Sequence, residues 1–210
     1  MPTRIVLADD HVLVRQGLKS LLEREHFQVM AEASDGQDAV RLIEAHHPDI
    51  AILDISMPTL NGIDAARGLS RTAPKTKVIL LTQHEEEQYI HEALEAGVKG
   101  YVLKNQVAND LIQAIRQVCR GEFYLSPGIS RAVMEGYRNK SKRPADPLTV
   151  RERQVLQLIA EGKSTKDTAS VLGISVKTAE SHRMRLMQKL NIHETASLVR
   201  YAVRRGLIQP

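Results

Sequence analysis

Four short apolar runs in the first half of the chain each lead into a residue able to do chemistry. Residues 4–8 lead into Asp9-Asp10, residues 50–53 into Asp54, residues 78–81 into Thr82, and residues 100–103 into Lys104. Clustered carboxylates repel one another and call for a cation. A hard, oxygen-only site suits Mg2+, which keeps several of its waters and pairs readily with phosphate. Beside such an ion a carboxylate can attack a phosphoryl group and form an aspartyl phosphate. The Lys104 ammonium would neutralise phosphoryl oxygens, and the Thr82 hydroxyl would donate to another. No glycine-rich phosphate loop of the Walker or dinucleotide kind is present, so a tightly bound nucleotide is not the expected donor. Any one of these residues is an ordinary way to start a loop. The set is not, because unpaired charges are costly to bury.

For the set to meet, the runs must be neighbouring strands. Their near-continuous apolarity suits strands covered on both faces, and residues 28–31 form a weaker fifth run. Between them lie helical patterns: Val14, Leu18, Leu21 and Leu22; Ala39, Val40 and Ile43; Ile90, Ala93 and Leu94; Leu111, Ile112, Ile115 and Val118. Strands alternating with helices imply parallel βαβ units and a doubly wound α/β sheet. Five strands in about 120 residues suit the flavodoxin-like order, whose ligand crevice lies at the carboxyl ends of the strands. The single cysteine, Cys119, continues the last helical pattern and is expected to be a small buried hydrophobe.

Asp9-Asp10, Asp54 followed by Met57-Pro58 and Asn61-Gly62, Thr82, then Tyr101 and Lys104 resemble a response-regulator receiver domain, over about residues 1–121. The resemblance implies that Asp54 accepts a phosphoryl group from a sensor histidine kinase. It implies that Asp10 and Asp54 bind Mg2+ directly, that Asp9 acts through water, and that the Ser56 backbone carbonyl completes the protein ligands. Thr82 and Lys104 would hold the phosphoryl group, and Tyr101 would be an aromatic switch that follows Thr82.

The charge is uneven along the chain. Residues 141–210 hold 13 Lys and Arg against 6 Asp and Glu, so they carry +7, while residues 1–140 carry −3 of the total +4. A basic back half suits contact with a polyanion, although charge alone leaves a plain solvated surface equally open. Between the halves, residues 122–147 read as a linker that holds a short helix over 129–137 and ends in a polar, proline-broken stretch.

Residues 148–210 read as a separate all-helical domain. Thr149 and Glu152 form a capping box, and Val155, Leu156, Leu158 and Ile159 give the helix that follows an apolar face. A helix from about Thr165 to Leu172, a tight turn at Gly173-Ile174 and a helix capped by Ser175 make a helix-turn-helix. At about 100° per residue, Ala179, His182, Leu186 and Leu190 of that third helix fall on an inner face. Lys177, Glu180, Ser181, Met184 and Gln188 fall on an outer one, with Thr178 and Arg185 at its edge, and can meet a major groove. His182 reads as a packing residue.

Residues 148–152, with 174–183, resemble the LuxR-type DNA-binding domain, and the whole chain is similar to NarL/FixJ-type regulators. The resemblance implies a transcription regulator that is not an enzyme. Phosphorylation would activate it to bind a double-stranded DNA operator as a homodimer through Lys177, Thr178, Glu180, Ser181, Met184 and Arg185. Its alternatives are a constitutive DNA-binding regulator whose receiver acts by protein contacts and, further off, a Mg2+-dependent phosphohydrolase. Such a phosphohydrolase usually has a second acid two residues after its nucleophile, where this chain has Ser56. No apolar run reaches the roughly 18 residues of a membrane span, so no membrane partner is expected and the expected location is the cytoplasm.

Overall fold

The structure, a computed structural model, describes residues 2–84, 87–129 and 147–208, with backbone alone at 87, 88 and 106–109. The chain divides into two compact units, the first carrying the described strands and the second the last four described helices. The first unit runs β1 (Arg4–Ala8), α1 (Val12–Arg24), β2 (Gln28–Ala33), α2 (Gly36–His46), β3 (Ile50–Asp54), α3 (Gly62–Thr72) and β4 (Lys77–Thr82). It continues with α4 (Glu87–Glu95), β5 (Gly100–Leu103), a 3-10 turn (Lys104–Gln106), α5 (Val107–Cys119) and β6 (Tyr124–Leu125).

The strands are parallel, in the order β2-β1-β3-β4-β5-β6. This is the expected doubly wound, flavodoxin-like order with one short strand added. β3 and β5 are buried throughout, and β1 and β4 at all but their first residue, which accounts for their unbroken apolarity. β2 is an edge strand buried only at Ala33, and its sequence is accordingly the weakest of the five. Alternate residues of the inner strands, Ile5 and Leu7, Ile50 and Ile52, Ile79 and Leu81, meet Leu18 and Leu22 of α1 and Leu111, Ile115 and Val118 of α5 in one core.

The sixth strand occupies part of the segment read as linker. The Tyr124 amide donates to the Lys99 carbonyl and the Ser126 amide to the Tyr101 carbonyl, each at 3.0 Å. The Tyr124 side chain joins the core below. The buried Ser126 hydroxyl then accepts from the Leu103 amide at 3.2 Å and donates to Asp110 at 2.6 Å. The helix expected over 129–137 lies, beyond Ile129, outside the described residues. Cys119 corrects the sequence expectation, because it is exposed. It is the last residue of α5, past the Leu111–Ile115–Val118 stripe, and its sulfur lies 3.8 Å from the Thr3 hydroxyl.

The second unit comprises α6 (Val150–Ala160), α7 (Thr165–Val171), α8 (Val176–Leu190) and α9 (Thr195–Arg204). Val155, Leu156 and Ile159 of α6 pack with Leu186 of α8 and with Leu198 and Ala202 of α9. Gly173, at φ +62, supplies the left-handed turn between α7 and α8, a conformation costly for residues with a Cβ. Among the described residues no helix is long and apolar enough to cross a membrane.

The capping box opening α6 is present, and it does more than cap. Glu152 is almost fully buried, accepts from the Thr149 amide and hydroxyl, and takes an ion pair from Lys189 of α8 at 2.7 Å. Burial pushes its carboxyl up, but the Lys189 and Thr149 hydrogen bonds outweigh burial and hold it below the usual glutamate value. A carboxyl lowered on folding stabilises the fold above its unfolded value of 4.5 and loses that contribution as pH falls through the folded value. Glu152→Gln should therefore cost roughly 1–3 kcal/mol at pH 7. In urea unfolding followed by circular dichroism, the gap from the unsubstituted chain should narrow as pH drops below 4.5.

Candidate functional site

The strand register brings the chemistry-bearing residues of the first unit to one edge of the sheet. Ala8 pairs with Leu53, Asp54 with Leu81, and Thr82 with Leu103, so Asp9, Asp54, Thr82 and Lys104 leave neighbouring strand ends together. Asp9, Asp54 and Thr82 are almost fully buried. The Lys104 ammonium lies 2.9 Å from Asp9 Oδ2 and 2.9 Å from Asp54 Oδ2. Burial pushes the Asp54 carboxyl up, with Asp9 and Asp10 adding to it, and the pull of Lys104 in the other direction does not cancel them. Burial works against the charge on Lys104 as well, yet Asp54 and Asp9 outweigh it and raise the ammonium pKa. Lys104 is thus held as a cation against an excess of negative charge.

That excess bears on a metal. Asp9 Oδ2, Asp10 Oδ1 and Asp54 Oδ2 are buried oxygens that no well-aligned hydrogen bond fills, and the ion pairs with Lys104 balance charge without saturating their lone pairs. One ligand atom each from Asp9, Asp10, His11 and Asp54 lies within 4.8 Å of the others, a spacing that fits one small cation. His11 was not anticipated. Its amide donates to Asp9 Oδ1 at 2.9 Å, and its ring Nδ1 sits 2.8 Å from Asp10 Oδ1. The available signal was adjacency, since His11 directly follows the two acids at the end of β1.

Thr82 and Tyr101 meet at a second unanticipated residue, His84. The Thr82 hydroxyl accepts from the His84 amide at 2.9 Å, and the Tyr101 hydroxyl donates to the His84 carbonyl at 3.1 Å. Tyr101 is directed inward and is 1% exposed. The His84 ring stacks on Tyr89, with centroids 4.4 Å apart, and its Nε2 lies 3.3 Å from the Ser56 hydroxyl. Ser56 is half-buried two residues after Asp54.

In the second unit, Lys177, Thr178, Glu180, Met184 and Arg185 of α8 are exposed, and Ser181 is half-buried. Met184 is 61% exposed, conspicuous for an apolar side chain. Thr178 is partly committed to the cap, its amide donating to the Ser175 hydroxyl and its own hydroxyl lying 2.8 Å away from it. Ala179 and Leu186 are buried as expected, whereas His182 is only half-buried and sits at the edge of the inner face. Lys189 is spent on Glu152, and Arg183 donates to the Thr195 hydroxyl at 3.0 Å. Among the described residues neither Lys177 nor Arg185 has an acidic partner within ion-pair distance.

Gly62 ties the site to the fold. Its amide donates to the Ile55 carbonyl at 2.9 Å, and a Cβ there would stand 2.2 Å from the Asp54 carbonyl oxygen. Backbone cannot yield as a flexible side chain does, so Gly62→Ala must displace either α3 or Asp54. The expected outcome is a folded but destabilised first unit, by about 1–3 kcal/mol. Urea unfolding of this variant beside the unsubstituted chain checks it.

Comparison with known proteins agrees with this division of the chain. Residues 5–116 match the family model of the response regulator receiver domain, and residues 146–202 match that of the bacterial regulatory proteins of the luxR family. The oxygen regulatory protein NreC of Staphylococcus epidermidis is 38% identical, with 98% of this chain and 99% of that protein covered. A LuxR-family two-component response regulator from Aurantimonas is 34% identical with a TM-score of 0.63, covering 66% of this chain and 99% of its own. RcsB from Salmonella enterica, solved on a promoter in the presence of a phosphomimetic, is 26% identical with a TM-score of 0.64, covering 96% and 98%.

Proposed function

This chain belongs to the two-component response regulators, with a receiver domain ahead of a LuxR-family DNA-binding domain, and we propose that Asp54 is its phosphoacceptor and the switch for operator binding. One observation carries the proposal: a single ammonium, that of Lys104, held between two buried carboxylates at the carboxyl edge of the sheet. In the proposed reaction an Asp54 carboxylate oxygen attacks the phosphorus of a phosphohistidine on a sensor kinase. The P–O bond forms as the P–N bond breaks, and the departing imidazole takes up a proton. Lys104 neutralises the oxygens of the incoming group, and the Thr82 hydroxyl donates to another.

The unsaturated oxygens suit a divalent cation, and Mg2+ accords with hard oxygen ligands. Asp10 and Asp54 would hold it directly, Asp9 through water, and the Ser56 carbonyl would complete the protein ligands. When bound, it supplies charge neutralisation for the phosphoryl group.

The second unit would place Lys177, Thr178, Glu180, Ser181, Met184 and Arg185 of α8 against the major groove of a double-stranded operator. The likeness to a promoter-bound RcsB supports that reading. Homodimerisation on phosphorylation and residence in the cytoplasm complete the proposal.

With Mg2+ and a small-molecule phosphodonor, the full-length chain should gain one acid-labile phosphoryl group, and Asp54→Asn should gain none. Label retained in that variant would move the acceptor elsewhere. A second measurement titrates full-length protein, with and without phosphorylation, on one duplex at one salt concentration. Phosphorylation should tighten binding, and Lys177→Ala and Arg185→Ala should each cost roughly 1–3 kcal/mol without unfolding the second unit. Equal affinities with and without phosphorylation would favour a constitutive DNA-binding protein whose receiver serves protein contacts.

A further inference from the structure

We propose that Ser126 is a positioning residue for Lys104: its hydroxyl clamps both ends of the connection that carries the ammonium, and so couples the pocket to the chain running on toward the second unit. This rests on the reading that Asp54 is phosphorylated and that Lys104 neutralises the incoming group.

Geometry carries the inference. The connection from β5 to α5 begins at Lys104, passes through the 3-10 turn and enters α5 at Val107. The Ser126 hydroxyl, fully buried, holds that connection on both sides. It accepts from the Leu103 amide, one residue before Lys104, at 3.2 Å. It donates to Asp110, in the first turn of α5, at 2.6 Å. A serine hydroxyl has one proton and two lone pairs, so the donation to Asp110 commits the proton while a lone pair takes the amide. Neither end of the connection can move without dragging or breaking the clamp.

The clamp is not ordinary strand pairing. Tyr101 of β5 lies opposite Leu125 of β6, and the Ser126 amide donates to the Tyr101 carbonyl. One step further along a parallel ladder, the Leu103 amide would meet the Ser126 carbonyl. That carbonyl instead accepts from the Ile129 amide at 2.9 Å, and the side-chain hydroxyl takes its place in the ladder. One residue thus ends β6, starts the turn that follows and holds the support of Lys104. Tyr124 secures the same carboxylate. Burial and the negative charge of Asp110 push its phenol up to about 12, so it keeps its proton and hydrogen-bonds Asp110.

The consequence for the pocket follows. The Lys104 ammonium, now 2.9 Å from both Asp9 and Asp54, must shift to reach phosphoryl oxygens, and its backbone support decides how accurately it arrives. A buried hydroxyl that merely secures the edge of the sheet, the competing account, would act on stability and not through Lys104.

The test is a double-substitution cycle on the full-length chain, reading the rate at which it gains a phosphoryl group from a small-molecule phosphodonor at saturating Mg2+. Lys104→Ala should slow that rate, and Ser126→Ala should slow it about tenfold. With Lys104 already replaced by Ala, Ser126→Ala should slow it no more than about twofold further. Asp110→Ala, which removes the other end of the clamp at a half-buried position, should repeat the pattern, and it serves should Ser126→Ala not fold. Amide exchange followed by NMR reads the clamp itself: the Leu103 amide should exchange about tenfold faster in Ser126→Ala, and phosphorylation of the unsubstituted chain should change exchange at Ser126 by about as much. A Ser126→Ala rate equal to that of the unsubstituted chain overturns the proposal. So does an equal loss with and without Lys104, or exchange at Ser126 that phosphorylation leaves unchanged. If Lys104→Ala gains its phosphoryl group at the unsubstituted rate, the reading of Lys104 fails first and this inference falls with it.

Discussion

The ion pair of Lys104 with Asp9 and Asp54 is the constraint around which the first unit is organised. A buried carboxylate is stable only with a partner, and removing one partner of a buried pair typically costs 3–5 kcal/mol because it strands the other charge. Here three residues from three strands must converge on one point, and each is placed by sheet register alone. That demands a sheet whose inner strands cannot slip. A one-residue slip would turn Ile5, Ile50, Ile52 and Ile79 out of their shared core, so burial of those side chains locks the register that assembles the charges. Gly62 belongs to the same constraint, because α3 approaches the Asp54 backbone too closely for any side chain.

The second unit applies the same physics to a different end. Its buried charge, Glu152, fixes α8 by drawing in Lys189. Arg183 is likewise engaged, by Thr195 at the start of α9. These internal contacts sort the basic residues of α8 into two groups. Lys189 and Arg183 hold the helix in place, while Lys177 and Arg185 remain toward solvent. A basic surface for a polyanion is therefore not the sum of the charges in the sequence, and the +7 of residues 141–210 overstates what the helix presents.

The strand-end residues were legible because strands have a fixed direction and their ends face one crevice, so adjacency in sequence becomes adjacency in space. The helix-turn-helix was legible through its caps, since Ser175 and the Thr149–Glu152 box act within four residues. What escaped has a physical reason in each case. β6 is two residues long and shows no period, and only its hydrogen bonds to Lys99 and Tyr101 make it a strand. His84 contributes its backbone amide and carbonyl to the Thr82 and Tyr101 contacts, and any residue type has those. Cys119 fits the apolar spacing of α5, but spacing does not record where the covering sheet ends. Lys189 gives no sign in sequence of its pairing with Glu152, 37 positions away.

Under the proposed function, His84 would be the point through which a change at Asp54 reaches beyond the pocket. The Thr82 hydroxyl and the Tyr101 hydroxyl grip the same residue, one at its amide and the other at its carbonyl. The Thr82 hydroxyl, which accepts from the His84 amide, would keep its proton to donate to a phosphoryl oxygen. A shift of the Thr82 side chain toward such an oxygen would draw on its contact with the His84 amide, and Tyr101 holds the carbonyl of the same residue. Tyr101 is buried against packed neighbours, so under the proposed function it would answer such a shift by a change of rotamer rather than by small drift. An aspartyl phosphate needs a bistable element if a local event is to bias a distant one, and the Thr82–His84–Tyr101 contacts would be where this chain supplies it.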